Sequence, residues 1–438
     1  VDTSDHEVNI KILLQPAVAE GRLGASERVE LLESMTDEVA RLVLAHNIDQ
    51  NLALSVEAAQ KPSMAAAYET WMQHLESAAG LDRDLEGLPS REEMVERIHD
   101  GTPLTRPELA SLLAWTKIHL ERLVVASPLP DDPYLANRLT DYFPSQLRET
   151  YAHDMARHPL RREIVATVTV NRFVNSQGIS AFSRLSGETA SDITEVVKAQ
   201  LAARTIFSVA TFERQLPRLG LPAPAELKVR VALQQMIERG TRWLLHNRRG
   251  DLDIRAEEAA FTGGVREVLD TFTEHATPRQ RAVMAEQVAE LEASGVPAEI
   301  AEATSRALWA HQSLPIVDLS RTLERPLELV SSVYFAISGE LGLDVVFDRV
   351  NELDRSTRWD TMARAALRDD LQTLQTELTR AALQAAPEAS DAATVVTAWR
   401  DAVGGVDREA AQLAEITDGE ATLARMSVAL RTIRTLLV

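Results

Sequence analysis

The sequence predicts an all-α fold, a multi-helix array built as bundles. Three observations carry this. Ala, Leu, Glu and Arg, all strong helix formers, dominate the chain. Aromatic residues make up only 5% of it, and alternating strand-like runs are scarce. Helix starts are marked, one after another, by capping residues.

The clearest start is "TRPELASLLAWTKIHLERLVVAS". Thr105 is placed to cap, Pro107 suits the first turn, and Glu108 completes a capping box. Leu109, Leu112, Leu113, Thr116, Leu120 and Leu123 then recur at helical spacing, which predicts one buried face. In "DDPYLANRLTDYFP" Asp132 caps and Pro133 opens the helix, with Leu135, Leu139 and Tyr142 on one face. Pro144 disfavours helical geometry at Phe143 and predicts a break there. "TPRQRAVMAEQVAEL" begins with Thr277 as cap and Pro278 behind it.

"REIVATVTVNRFV" (Arg162 to Val174) is rich in β-branched residues and compatible with a strand. Its length and the stop signal at Gly178 favour a central helix, apolar nearly all round. "GLDRDLEGLPS" (Gly80–Ser90) and "HNRRGDLDI" (His246–Ile254) are polar, contain Gly and mark candidate boundaries. They predict segments 1–90, 91–252 and 253–438. From about Arg255 the chain reads as antiparallel helices joined by turns such as "SGVP" (Ser294–Pro297) and "GELGLD" (Gly339–Asp344).

Composition narrows the function. The 438 residues suffice for at least one large core. A net charge of −20 opposes nucleic-acid binding. No apolar run approaches the length a bilayer needs, so no membrane partner is expected, and the default compartment is the cytoplasm. The absence of cysteine excludes disulfides, thiolate metal sites and a thiol nucleophile within this sequence.

Motifs for self-contained chemistry are missing. His153 and His158 lie five apart, whereas two ligands on one helical face want three or four, and the other histidines are isolated. No GxGxxG, GxxxxGK[ST] or GxSxG pattern occurs. "TGG" (Thr262–Gly264) follows a helical pattern and reads as a turn. Ser186 in "RLSGETASD" precedes a long helix, where capping by Thr189 or Ser191 accounts for the polar run. "RHPLRREI" (Arg157–Ile164) and "HNRRGD" (His246–Asp251) are candidate anion sites or structural ion pairs.

"DTSDHEVNIKILL" (Asp2–Leu14) resembles a signature of the large-subunit bacterial NAD-specific glutamate dehydrogenases. Further segments resemble that family in order, among them "LTRPELASLLAWTKIHL" (Leu104–Leu120), "RGTRWLLHNR" (Arg239–Arg248), "RPLELVSSVYFAI" (Arg325–Ile337) and "RWDTMARAALRDDL" (Arg358–Leu371). The resemblance spans essentially the whole chain. It implies that the NAD-binding unit and the catalytic lysines lie upstream of Val1. What remains would be an N-terminal remnant of the catalytic domain's terminal helices, followed by a helical C-terminal region. NAD would be the cofactor of the intact enzyme. The implied partners are the rest of its own polypeptide, sibling subunits of a homo-oligomer, and a regulatory protein or amino-acid effector.

In small glutamate dehydrogenases an Asn-Ala-Gly-Gly-Val-x-x-Ser stretch precedes the C-terminal helices, and its Ser helps hold the substrate's side-chain carboxylate. "VDTS" resembles the end of that stretch, which implies a substrate-binding role for Ser4 in the intact enzyme. The residues alone equally suit a capping box of Ser4 with Glu7. A second function class is a helical interaction or effector-binding module, docking through apolar stripes in "DIRAEEAAFTGGVREVLDTF" and "ARMSVALRTIRTLLV". A stand-alone hydrolase or deaminase lacks a nucleophile or metal set.

Overall fold

The computed structural model describes residues 2–60, 64–102, 104–248, 250, 252–354 and 357–437; the side chains of residues 2–4 and 358 lie outside that description. Among the described residues there are twenty-five α-helices, a few short 3-10 turns and no strand. The chain forms two compact units. The first comprises residues 1–186 and 191–197, and the second residues 187–190 and 198–438. The expected limits at 90 and 252 both fall inside these units. Residues 80–90 are not a loose linker. Arg83 is buried there and donates to Glu69 at 2.8 Å, Glu76 at 3.0 Å and the Pro89 carbonyl at 3.2 Å.

In the first unit the centre is the segment that the sequence left between strand and helix. It is a helix, Arg161–Gln177, closed at Gly178. Ile164, Val165, Val170, Phe173 and Val174 are buried, and of its residues only Glu163 and Arg172 are exposed. It packs on the helices Arg106–Ala126, Ala136–Tyr142 and Thr36–Ala59. A core position on several sides explains why its polar pattern is weak.

Local capping chemistry sets the starts. The Thr105 N–H donates to Glu108 at 2.7 Å, and Leu109, Leu112, Leu113, Thr116 and Leu120 are buried. Leu123 is only half-buried, and Val124 takes its expected place in the core. Asp132 accepts the Tyr134 N–H at 2.8 Å, and the helix Ala136–Tyr142 stops before extended Phe143. The polar run before Ile193 is capped by Asp192, not by Thr189 or Ser191. Asp192 and Glu195 exchange backbone-to-side-chain bonds, each 2.9 Å.

In the second unit the most buried helix is Leu327–Leu341, with Val330, Val333, Tyr334, Phe335 and Ile337 in the core. It packs on Arg358–Ala385, Ala392–Val403, Ser313–Leu323 and Val406–Thr417. Thr277 caps Pro278–Ala293, accepting the Gln280 N–H at 3.1 Å and donating to Asp344 at 2.7 Å. "SGVP" is a turn, as expected. "GELGLD" also joins two helices, but by a turn of one residue: Gly342, with a left-handed φ of 61°, breaks the chain between Leu327–Leu341 and Leu343–Glu352 at an angle of 69°. No single helix among the described residues is long and apolar enough to cross a membrane.

"TGG" is also helical, inside Ile254–Asp270. A Cβ on Gly264 would stand 2.9 Å and 3.1 Å from the two Val317 methyls, so glycine is what lets this helix lie close against Ser313–Leu323. The two apolar stripes expected to dock partners are used internally. Phe261, Val265 and Val268 pack within the unit, as do Met426, Leu430 and Ile433 of Leu423–Arg434.

Candidate functional site

Ser4 lies in the first turn of the helix Asp2–Ala19, and its side chain is outside the described residues. Because the helix already begins at Asp2, Ser4 is not its N-cap, and the capping-box reading with Glu7 does not hold.

The basic runs are mostly structural. Arg161 pairs with Asp131 at 2.6 Å, and Arg162 donates to the carbonyls of Val125 and Ser127 at 2.9 Å each. His158 is a satisfied core residue. Its Nδ1 accepts the Leu160 N–H at 3.1 Å and its Nε2 reaches the Asn9 carbonyl at 3.1 Å. Of "HNRRGD", Arg248 stacks over Trp243 and Phe261, each centroid 5.3 Å away, and pairs with Asp318. Among the described residues no three His, Asp or Glu side chains are grouped to hold a metal ion.

His246 leads instead into a cavity of about 730 Å³ within the second unit. Three of the stretches that line it supply most of its basic groups, while Glu188, Asp318 and Asp348 come from others. The helix Ala223–Asn247 supplies Arg239, Arg242 and His246, spaced so that all three lie along one face. The long helix Arg358–Ala385 supplies Arg368, Asp369 and Gln372. The short turn around Ala310–Gln312 supplies Trp309, His311 and Gln312.

The cations differ in how they are compensated. Arg242, 4% exposed, donates to Glu188 at 2.6 Å and to Glu238 at 3.0 Å. Burial opposes its charge, but Glu188 and Glu238 outweigh it and hold its pKa above the ordinary arginine value. Asp369 stands 3.2 Å from His246 Nε2 and 3.5 Å from Arg368 Nε. Burial works against the Asp369 carboxylate, yet the His246 contact with Arg368 and Arg242 brings its pKa below the usual range. Arg239 donates to the Leu308 carbonyl, and among the described residues it has no carboxylate at ion-pair distance. Burial, with Arg368 nearby, pushes its pKa down to about 10, so it is still charged at neutral pH. His311 is driven well below its ordinary value by burial and then by Arg239 and Arg368, and is neutral.

Several polar atoms of this wall have no partner. They are Trp309 Nε1, His311 Nδ1, Gln312 Oε1, Arg368 Nη2 and Gln372 Nε2. Among the described residues the lining contains no Ser, Cys, Lys or Tyr. Reading the sequence singled out His246 but missed Arg239, Arg242, His311 and Arg368. The available signal was the spacing of Arg239, Arg242 and His246 on a helix otherwise buried along its length.

Fold and site together define an all-helical region, among the described residues, with a cavity lined by charged side chains in its second unit. The chain belongs to the glutamate dehydrogenase C-terminal family: the family model described as "Glutamate dehydrogenase, C-terminal" matches residues 101–435. The model "Bacterial NAD-glutamate dehydrogenase, catalytic domain" matches residues 1–57. The chain is similar to the NAD-specific glutamate dehydrogenase of Mycobacterium tuberculosis, 35% identical over 99% of this chain and 27% of the relative. It is also similar to the proteins of that name from Pseudomonas aeruginosa, 35% identical over 88% of this chain and 24% of the relative, and Halomonas elongata, 31% identical over 91% and 25%. The chain thus spans about a quarter of the length of these curated relatives.

Proposed function

We propose that this chain is the C-terminal part of an enzyme that oxidatively deaminates L-glutamate to 2-oxoglutarate and ammonia, passing hydride to NAD. The observation that carries the reading is the order of the two family matches, catalytic domain over 1–57 and C-terminal region over 101–435. In this reading residues 1–90 close the catalytic domain, and the rest supports assembly and regulation of a cytoplasmic homo-oligomer. NAD is held by residues outside this chain. The protein's contribution in such chemistry is to orient the substrate against the nicotinamide and exclude competing reactions.

Ser4 would donate its hydroxyl to the side-chain carboxylate of glutamate, a charge-assisted bond that positions the substrate. In the full-length enzyme Ser4→Ala is expected to raise the glutamate KM about tenfold, the size of one such bond. Initial rates of NADH formation at varied glutamate test this. Unchanged KM and kcat in the variant would remove Ser4 from the substrate site. A full-length enzyme that forms no NADH from glutamate would overturn the whole reading.

A further inference from the structure

We infer that His74 and His119, in the first unit, form a two-histidine binding site for a divalent transition metal of the zinc class. The two residues stand 45 positions apart in the chain and meet only through the fold. His74 lies on the helix Ala65–Ala79 and His119 on the helix Arg106–Ala126, which pack on each other. Their Nε2 atoms face each other at 3.3 Å, and the ring centroids are 5.2 Å apart with 72° between the planes. As a hydrogen bond this contact is poor. It is longer than the roughly 2.7–3.2 Å of an ordinary N–H bond, and a straight one of this length would set the centroids about 5.6 Å apart. As two arms of a tetrahedral zinc site it is close to ideal. Zinc–imidazole bonds of about 2.0–2.1 Å place the two nitrogens about 3.3 Å apart, and the centroids, each about 1.1 Å behind its nitrogen, about 5.2 Å apart.

The surroundings hold the rings in this pose. Trp71 lies flat on His74, with centroids 5.0 Å apart and 6° between the planes, and meets His119 edge-on at 5.7 Å. Trp71 is itself buried and fixed: its Nε1 donates to Thr116 Oγ1 at 2.7 Å, and that hydroxyl donates to the Leu112 carbonyl at 2.7 Å. Ligand rings locked by their neighbours lose little freedom when the ion arrives. His119 is buried, and burial, with His74 beside it, keeps its pKa below the ordinary value, so it is a neutral ligand at pH 7. The charge opposing an ion here, Arg122, is exposed and screened by water. His74 is exposed and opens the site to solvent, so water completes the coordination. With both Nε2 lone pairs on the ion, each ring keeps its proton on Nδ1. Imidazole ligands suit zinc, copper and nickel, whereas magnesium and calcium prefer oxygen. The bound ion would clip Ala65–Ala79 to Arg106–Ala126.

This site does not depend on the dehydrogenase reading and is tested on the chain itself. The full 438-residue chain, freed of metal by chelation, is titrated calorimetrically with zinc chloride, and thermal unfolding is followed in parallel. One saturable zinc site per chain, tighter than binding to the remaining histidines, is expected, with Tm raised by about 5 °C at a hundred times Kd. Magnesium chloride should leave Tm unchanged. His74→Gln alters an exposed side chain, so the variant should fold like the parent; zinc binding should weaken by about tenfold or more, and the shift should vanish. His99→Gln, at an exposed histidine of the helix Arg91–Asp100, should bind like the parent. The inference is overturned if zinc saturates no single tight site, if magnesium raises Tm as zinc does, or if His74→Gln binds zinc as the parent does.

Discussion

Arg242→Met is expected to destabilise the chain by about 3–5 kcal/mol, the cost of removing one partner from a buried ion network. The side chains concerned are largely buried. Arg242 is 5% exposed, and its partners Glu188 and Glu238 are 9% and 15% exposed. Methionine fills much of the same volume, so packing is nearly conserved and the loss is electrostatic. Two carboxylates then stay in the wall of the cavity without the guanidinium that offsets their desolvation. The triple variant with Glu188→Gln and Glu238→Gln should recover most of the loss, since replacing a buried ion group as a whole is often close to neutral. Chemical denaturation of the single and triple variants checks this. A single variant within about 1 kcal/mol of the parent would mean that water reaches these carboxylates, and the description of Arg242 as a buried cation held by Glu188 and Glu238 would be wrong.

Gly264→Leu is expected to cost about 3 kcal/mol, at the upper end of typical overpacking. Its first added carbon would fall within 2.9 Å of Val317, which is 3% exposed and cannot swing clear. The neighbouring glycine provides the control. Around Gly263 a Cβ meets nothing within 4 Å, and the position lies on the same helix. Gly263→Leu is therefore expected to stabilise by about 0.8 kcal/mol through helix propensity alone. Adjacent glycines should thus respond with opposite signs. Equal responses in thermal denaturation would show that the close approach of Ile254–Asp270 to Ser313–Leu323 is not what glycine serves.

These two cases also show what was legible in the sequence. Caps were, because their chemistry is local: Thr105 with Glu108, Asp132 before Pro133, and Thr277 before Pro278 all stand where the residues placed them. The helix Arg161–Gln177 was legible through its length and Gly178, against its β-branched composition. Gly264 was not, because what it accommodates, Val317, is far along the chain, and a local pattern makes a Gly pair look like a turn. The "GELGLD" turn was legible in place but not in length. One left-handed Gly342 suffices to bend the chain, and the other polar residues remain helical. The cavity was half legible. Arg239, Arg242 and His246 share a face by spacing, but only folding brings Arg368, Gln372 and Trp309 to them. Two segments quoted for the family resemblance, Arg239–Arg248 and Arg358–Leu371, meet at this cavity, so the resemblance pointed at the site without revealing its chemistry.

We propose that this chain is the C-terminal part of a glutamate dehydrogenase and does not turn over glutamate by itself. The most direct test incubates the purified 438-residue chain with L-glutamate and NAD and follows NADH formation. The account predicts none under conditions where the full-length enzyme turns over. Sustained NADH formation by the chain alone would contradict it.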